Sequence, residues 1–155
     1  MRMALRLAAL AALLAATAGF SSQPLSERQA QDRLPQSKDQ LWHVLGQCKV
    51  KLDAKKYTYS IRYTPEVQAL NGTDIRISGF MLPLEPTEKF KHFLLAKRTP
   101  TCPFCPPGEP NEIVEVFSAT PLRWEEQLIT VKGTLKLVTQ GDKGIFFQLQ
   151  NAVKQ

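Results

Sequence analysis

The sequence contains few of the residues on which most enzyme active sites depend. It has only two histidines, His43 and His92, and neither lies in a recognisable catalytic motif. It also lacks a phosphate-binding loop, a Ser/His/Asp arrangement and a pair of carboxylates at a characteristic spacing. Nucleophilic and acid–base catalysis need such groups in defined combinations. The sequence therefore does not indicate an enzyme of a familiar type.

Long apolar segments are absent beyond the N-terminus. Residues 7–16 consist only of Leu and Ala and follow a short basic start that contains Arg2 and Arg6. This run is shorter than the roughly 20 apolar residues that span a bilayer. Ala16-Thr17-Ala18 matches the small-residue pattern that precedes a signal-peptidase site. We therefore predict that residues 1–18 are a cleaved secretory signal and that the chain is exported without stable membrane insertion.

A large excess of basic residues is also missing. The chain has a net charge of +6, and removal of Arg2 and Arg6 with the signal would lower it to +4. A charge of this size favours solubility and a weak attraction to anionic surfaces. Proteins that bind nucleic acid normally show a denser cluster of basic residues. A nucleic-acid partner is therefore not expected.

The rest of the chain predicts one small domain. Residues 19–38 are polar and are predicted to be a flexible leader, and residues 39–155 are predicted to form a single domain. A short helix is expected at its start, with Ser37 as the N-cap and Gly46 at the C-terminal end.

Alternating apolar residues beyond this helix are typical of strands. Residues 49–52 alternate, and the predicted strands cover residues 57–63, 74–82, 113–117, 128–138 and 145–149. Residues 90–95 could be a strand or a helix, and Phe93-Leu94-Leu95 favours a strand. Gly79 and Gly133 interrupt two of them and suggest tight bends, and residues 140–144 are predicted to form a hairpin turn. Five or six short strands with bend glycines indicate a mainly β protein, either a small barrel or a strongly curved antiparallel sheet.

The most informative segment is a proline-rich loop that contains two of the three cysteines. Cys102 and Cys105 are separated by two residues, and five prolines lie between Pro100 and Pro110. In an exported protein such a pair can form a disulfide, bind a metal or act as a redox couple. Cys48 then remains as an unpaired third cysteine, either buried, a further metal ligand or a partner for another chain.

A metal site is one interpretation of this loop. Two thiolates from one tight turn can occupy one edge of a tetrahedral ion. Cys48, His43 and His92 are the candidates for a further ligand, with Glu109 and Glu112 close in sequence. We predict that the ion would be zinc or copper(I), and that an incomplete site would suit a metal carrier.

The other interpretations do not need a metal. A Cys102–Cys105 disulfide would close a short ring and stiffen a loop that presents Phe104 and the prolines to a protein partner. A thiol–disulfide oxidoreductase is a third possibility, but redox Cys-x-x-Cys motifs begin a helix that stabilises the thiolate. Pro106 and Pro107 oppose a helix directly after Cys105.

The chain also resembles an exported bacterial family catalogued as domain of unknown function 3299. The resemblance extends from about Trp42 to Ala152 and is carried by five segments. They are Pro65–Gly72, Ile77–Leu84, Phe93–Leu95, Cys102–Pro107 and Pro110–Val114.

The resemblance implies a small OB-like barrel in the periplasm. It also implies a partner, because some members are encoded beside genes of zinc transport, and a transporter or another periplasmic protein is the expected one. Many members carry Cys-x-His before the prolines. This sequence instead has Cys105 one position beyond that histidine, so only Cys102 and the prolines are shared. The function we predict is that of a periplasmic accessory protein that binds zinc or copper.

Overall fold

A computed structural model describes Gln29 and residues 32–99, 108–139 and 144–155. The chain divides into a unit of residues Met1–Ala30 and a second unit of residues Gln31–Gln155. The predicted signal, both loop cysteines and most of the predicted turn at residues 140–144 lie outside the described residues.

The second unit contains two short α-helices, one 3-10 helix and seven strands among the described residues. In chain order these are α1 (Gln40–Gly46), β1 (Lys49–Asp53), β2 (Thr58–Arg62), α2 (Pro65–Ala69), β3 (Asp74–Pro83), β4 (Lys89–Ala96), the 3-10 helix Pro110–Glu112, β5 (Ile113–Arg123), β6 (Ile129–Leu137) and β7 (Phe147–Lys154).

Five strands close into a barrel in the order β3-β4-β5-β7-β6. Strands β5 and β7 run parallel, and the other neighbours in the barrel are antiparallel. This is the arrangement of a small five-stranded barrel of the OB type. Strands β1 and β2 form a separate two-stranded sheet. The prediction of a mainly β, OB-like barrel with a short N-terminal helix is confirmed.

Both predicted bend glycines lie where neighbouring backbones approach closely. Strand β3 pairs with β6 up to Gly79 and with β4 from Phe80 onward. A Cβ atom at Gly79 would lie 2.7 Å from the carbonyl oxygen of Ala96, and one at Gly133 would lie 2.7 Å from that of Gln150. A side chain larger than a hydrogen atom does not fit at either position. The two glycines therefore allow the barrel to close.

The core fills the barrel with the inward-facing residues of alternating strand positions. Phe93, Val116, Val131 and Leu149 are among the fully buried side chains. Trp42 of α1 adds a large buried ring, and its Nε1 donates a hydrogen bond to the Ser78 carbonyl at 2.7 Å. Helix α1 therefore belongs to the same hydrophobic core as the barrel.

Helix α1 begins after Asp39, so the prediction that Ser37 is its N-cap is wrong. The Asp39 carboxylate accepts a hydrogen bond from the Leu41 amide at 3.0 Å, and it also accepts one from the Ser78 amide at 2.9 Å. The Ser37 hydroxyl instead donates to the Ser78 carbonyl at 2.6 Å. The local sequence predicts that this hydroxyl caps the helix, but in the fold it contacts β3, which is distant in sequence.

The described residues that precede α1 contact the barrel next to the end of β4. The Ser37 amide donates to the Lys97 carbonyl at 2.7 Å, and the Thr99 amide donates to the Pro35 carbonyl at 3.1 Å. These residues belong to the segment 19–38, which the sequence predicts to be a flexible leader. No helix of the described part of the chain is long and apolar enough to cross a membrane.

Most strand boundaries differ from the sequence prediction by one or more residues, and three of these differences have a clear physical reason. Strand β2 starts one residue later than predicted, because Tyr57 has a φ angle of 52° and lies in the turn. Strand β5 continues past Phe117 to Arg123, which pairs with Lys89 of β4. Strand β7 ends at Lys154 and not at residue 149, because its last residues pair with the first half of β6.

Candidate functional site

The candidate site is the loop that joins β4 to β5. Cys102 and Cys105 lie in the part of this loop that is outside the described residues. The structure does describe both ends of the loop, up to Thr99 and again from Gly108. The geometry that bears on function is therefore that of the loop base and of the further ligand candidates around it.

Four charged residues hold the loop base together, and we call them the loop-base cluster: Asp32, Lys97, Arg98 and Glu112. One Glu112 carboxylate oxygen accepts hydrogen bonds from Lys97 Nζ at 2.9 Å and from Arg98 Nη2 at 3.0 Å. The other oxygen accepts from Arg98 Nε at 3.1 Å. Arg98 Nη1 donates in turn to the Asp32 carboxylate. This bidentate Arg–carboxylate geometry is the strong form of an ion pair.

The Arg98–Glu112 pair at the centre of the cluster is largely shielded from water, whereas the Asp32 side chain is 53% exposed. Arg98 is only 8% exposed. Burial raises the pKa of the Glu112 carboxyl, but the hydrogen bonds and charges of Arg98 and Lys97 outweigh this effect and hold the pKa below its ordinary value. The hydrogen bond to Glu112 raises the pKa of Arg98 in return. Both groups are therefore charged at neutral pH, and each satisfies the other in the buried site.

Backbone contacts reinforce the same two ends of the loop. The Lys97 amide donates to the Glu112 carbonyl at 3.0 Å, which joins the residue before the loop to the residue after it. Gly108 has a φ angle of 146°, and a Cβ atom there would lie 2.8 Å from a carboxylate oxygen of Glu112. Only glycine fits such a position without strain. Both ends of the cysteine loop are therefore fixed on the barrel.

Cys48 lies beside the C-terminal end of the loop. Its carbonyl accepts a hydrogen bond from Asn111 Nδ2 at 3.1 Å, and Asn111 belongs to the 3-10 helix that follows the loop. The Cys48 side chain is buried and not disulfide-bonded. Burial raises the pKa of the Cys48 thiol, and hydrogen bonds to Thr64 offset this only in part. A thiol that stays protonated is a poor metal ligand at neutral pH.

His43 lies on the exposed surface of α1. Its Nε2 is 3.3 Å from Gln47 Nε2, one helical turn further along α1. Helix α1 itself packs beside the 3-10 helix at the end of the loop. His43 is therefore on an element next to the loop base, with a surface position and a local hydrogen-bond partner.

His92 lies on the outer face of the barrel and is committed to other contacts. Its Nε2 is 2.8 Å from a Glu115 carboxylate oxygen, and its ring stacks on Phe117 with centroids 4.6 Å apart. His92 precedes Ala96, the last residue of β4, by four positions, which corresponds to about 13 Å along a strand. Glu115 is fixed by a second hydrogen bond from Gln148 Nε2 at 2.8 Å.

The predicted additional ligands are not brought together within the described part of the chain. No group of three or more His, Cys, Asp or Glu side chains with the geometry of a metal site occurs there. Glu112, also considered near the loop, is occupied by Arg98 and Lys97. The loop-base cluster itself was missed by sequence analysis, although the charges of Lys97-Arg98 before the loop and Glu112 after it were a usable signal.

The barrel strands and the loop described above also identify the family of the chain. The family model described as "Protein of unknown function (DUF3299)" matches residues 21–146, which include the barrel up to the start of β7 and the cysteine loop. The chain belongs to the DUF3299 family. The resemblance found in the sequence is therefore confirmed. The family description gives no activity, so the function of this DUF3299 protein has to be argued from its own residues.

The other comparisons add little about function. A crystal structure of a DUF3299 family protein from Pseudomonas aeruginosa PAO1 is 24% identical to this chain. The matched region covers 61% of this chain and 67% of the Pseudomonas chain, with a TM-score of 0.48. No curated protein matches the sequence.

Proposed function

We propose that this DUF3299 protein is an exported, periplasmic accessory protein that binds copper(I) through Cys102 and Cys105. The observation that carries the proposal is the fixed base of the loop that contains both cysteines. Buried ion pairs between Arg98 and Glu112 hold the two ends of the loop on the barrel. A loop of fixed ends and many prolines loses little conformational freedom when it binds an ion, which favours binding.

The described ligand candidates favour copper(I) over zinc. A protein zinc site is almost always four-coordinate. Cys48 is buried with a raised thiol pKa, and His92 is held by Glu115. His43 is exposed beside the loop base, but with Cys102 and Cys105 it would make only three ligands. Soft thiolate ligands suit both copper(I) and zinc, but copper(I) can be held by two of them. A site with only two protein ligands also leaves the ion accessible to a receiving protein, as a carrier for a transporter requires.

The proposed role does not include catalysis. The described residues provide a fixed barrel and a fixed loop base, and the reactive pair is placed in a proline-rich segment that opposes a helix after Cys105. The protein would deliver or receive its ion by ligand exchange with a partner. A periplasmic domain of a metal transporter is the kind of partner that this role implies.

Metal loading of the full chain tests the proposal. We expect the reduced protein to retain one copper(I) ion per chain against a competing chelator and to bind zinc much more weakly. Cys102→Ser and Cys105→Ser should each abolish copper retention without a change in the thermal unfolding of the barrel. Cys48→Ser is the matched control and should keep the ion. Copper retention by Cys102→Ser, or its loss in Cys48→Ser, would contradict the proposal.

One observation favours a second candidate function. The loop-base cluster already makes the loop base rigid. Both histidines have side-chain partners other than the cysteine loop, namely Gln47 for His43 and Glu115 for His92. A Cys102–Cys105 disulfide could then stiffen the loop as a binding surface for a protein partner. The protein purified from the periplasm would in that case be lighter by two hydrogens and free of metal. Native mass spectrometry with thiol counting separates the two candidates.

A further inference from the structure

The β1–β2 hairpin carries most of the basic excess of the chain. We call residues 49–62 the basic hairpin. They contain five basic side chains and one acidic one, for a net charge of +4, whereas the whole chain has +6. The basic residues are Lys49, Lys51, Lys55, Lys56 and Arg62. These residues are close together in the sequence, and the fold places them on one small sheet that is separate from the barrel.

The two faces of the basic hairpin differ sharply. Val50, Tyr59 and Ile61 are partly buried and pack against the hydrophobic core. The opposite face is exposed and carries basic side chains, with Lys49 paired directly across from Arg62. Like charges opposite each other destabilise a strand pair. The hairpin therefore keeps an arrangement that folding alone does not favour.

The basic side chains of the hairpin are not neutralised by neighbours. None of the five forms a salt bridge with a residue that the structure describes, whereas Lys97 and Lys154 of the barrel both do. Asp53 is the acidic residue of the hairpin, and its Oδ1 accepts hydrogen bonds from the Lys55 and Lys56 amides at 3.0 and 3.2 Å. This carboxylate shapes the turn. The ammonium groups remain available to an external anion.

Two apolar side chains are exposed in and beside the turn of the hairpin, residues 54–57. Leu52 is 49% exposed and Tyr57 is 81% exposed. Tyr57 also has a φ angle of 52°, in the left-handed region that bulky residues avoid and that Asn or Gly adopts readily. Strain of this kind at an exposed position points to a function for the side chain.

We propose that the basic hairpin docks the protein on anionic phospholipid surfaces. Lysine and arginine side chains near such a surface attract its headgroups, and the exposed Tyr57 ring in the turn can enter the interfacial layer. Tyrosine is one of the residues enriched at this depth of a membrane. An acidic protein would account for the charges, but it would not explain an exposed and strained tyrosine in the outermost turn. The association is peripheral and needs no membrane-spanning segment.

Vesicle sedimentation with the full chain tests the proposal. The probes are vesicles of phosphatidylglycerol mixed with phosphatidylcholine and vesicles of phosphatidylcholine alone. We expect binding to the anionic vesicles only, and we expect it to weaken as salt screens the charges. Equal binding to both vesicle types, or no binding to anionic vesicles at low salt, would overturn the proposal.

A charge-matched pair of variants tests whether the hairpin is the contact. Lys51→Gln, Lys55→Gln and Lys56→Gln together should weaken vesicle binding on the order of 100-fold, since each basic side chain at the surface contributes about fivefold. The control combines Lys89→Gln, Lys91→Gln and Lys136→Gln. These barrel lysines are exposed, so this variant has the same net charge and should retain most of the binding. An equal loss in both variants would overturn the proposal.

The tip is tested by Tyr57→Asn. This change relieves the left-handed strain, so we expect the melting temperature to rise by a few degrees. Vesicle binding should fall at the same time, because the aromatic ring is lost. A more stable protein with undiminished binding would contradict a role for Tyr57. Binding to poly-glutamate through the same lysines, without binding to vesicles, would identify the surface as a site for acidic proteins and overturn the membrane proposal.

Discussion

Cys48 illustrates how burial changes what a single side chain can do. The sequence presents it as the odd cysteine of three, and its reactivity cannot be judged from sequence. In the fold it lies in the core between α1 and β1, and burial raises the pKa of its thiol. The thiolate is the form that attacks electrophiles and binds soft metals. Cys48 therefore acts as a small apolar core residue.

Alkylation tests this view of Cys48. We expect iodoacetamide at neutral pH to leave Cys48 unmodified in the folded protein, because the thiol is both buried and protonated. In denaturant the same residue should react fully. Peptide mass spectrometry distinguishes Cys48 from the loop cysteines, so no variant is needed. Rapid native modification of Cys48 would show that the thiol is accessible and would restore it as a ligand candidate.

Several residue roles could not be predicted, because the partners are far apart in sequence. Ser37 was predicted to cap a helix from the residues beside it, but its hydroxyl contacts Ser78, which is 41 positions away. Arg98 and Glu112 are separated by 14 positions and meet only because β4 and β5 pair. Local patterns reach a few residues, whereas the loop-base cluster depends on how the barrel closes.

At the scale of elements, the barrel bends depend on glycine. We expect Gly133→Ala to lower the free energy of unfolding by about 1–3 kcal/mol, because the added methyl group would press against backbone atoms. The nearest of these is the Gln150 carbonyl oxygen, at 2.7 Å. Gly46→Ala is the matched control, since no atom lies within 4 Å of its added methyl group. Urea denaturation of the two variants measures the difference, and equal stabilities would show that Gly133 has no steric role.

The strand pattern and its bends were predictable, but the strand ends were not. Alternation over residues 74–82 and 128–138 reports directly on which side chains face the core, and Gly79 and Gly133 mark the close approaches. The extension of β5 to Arg123 has no comparable signal, because it depends on pairing with Lys89. Strand length is therefore set by the partner strand and only secondarily by the local sequence.

The loop base is the element on which the proposed site rests. Glu112→Gln removes one charge from a buried, bidentate pair and leaves Arg98 without its main partner. Breaking such a pair typically costs about 3–5 kcal/mol. We expect a loss of stability toward the lower end of this range, since Asp32 still contacts Arg98. Thermal or urea unfolding at pH 7 measures it.

Glu126→Gln is the control for the same change of charge. Glu126 is exposed and forms no salt bridge with the described residues, so its substitution should shift stability by less than about 0.5 kcal/mol. If the two variants are equally stable, the loop-base cluster is not a stabilising contact. The fixed base that supports the proposed metal loop would then lose its physical basis.

At the scale of the whole molecule, the two proposed surfaces are close neighbours in the fold. Asn111 follows the cysteine loop, and its Nδ2 donates to the carbonyls of Gly46 and Cys48, directly before the basic hairpin. A Cβ atom added at Gly144 would lie 3.2 Å from the Tyr59 ring of the hairpin and 3.4 Å from the Pro110 ring at the loop end, so both rings lie beside this glycine. A hairpin docked on a membrane would therefore bring the cysteine loop toward membrane-embedded partners.

The pH dependence of stability should show two independent limits. The pKa of Glu112 is lowered in the folded state. The stabilisation that its ionised carboxylate provides is therefore complete above the ordinary pKa of 4.5, and it is lost as the pH falls through the lower pKa of the folded state. Burial raises the pKa of Tyr63 from 10.0 to about 12, so its contribution is complete below pH 10 and is lost as the pH rises toward 12. We therefore expect a broad plateau between about pH 5 and 9 in urea denaturation series.

The Tyr63 hydroxyl supplies one part of the alkaline limit, beside the buried Cys48 thiol, whose raised pKa acts in the same direction. Tyr63 Oη donates to the carbonyls of Val138 at 2.6 Å and Phe146 at 2.9 Å, which ties the end of β2 to the strands on either side of the β6–β7 turn. Ionisation removes the donor and places a charge against two carbonyl oxygens. In Tyr63→Phe the loss of stability between pH 10 and 12 should therefore be smaller by about 2–3 kcal/mol than in the parent protein. Tyr57→Phe is the control and should follow the parent curve of stability against pH, because Tyr57 is exposed. If all three proteins lose stability equally above pH 10, the contact of Tyr63 with the barrel depends on packing and not on its hydroxyl.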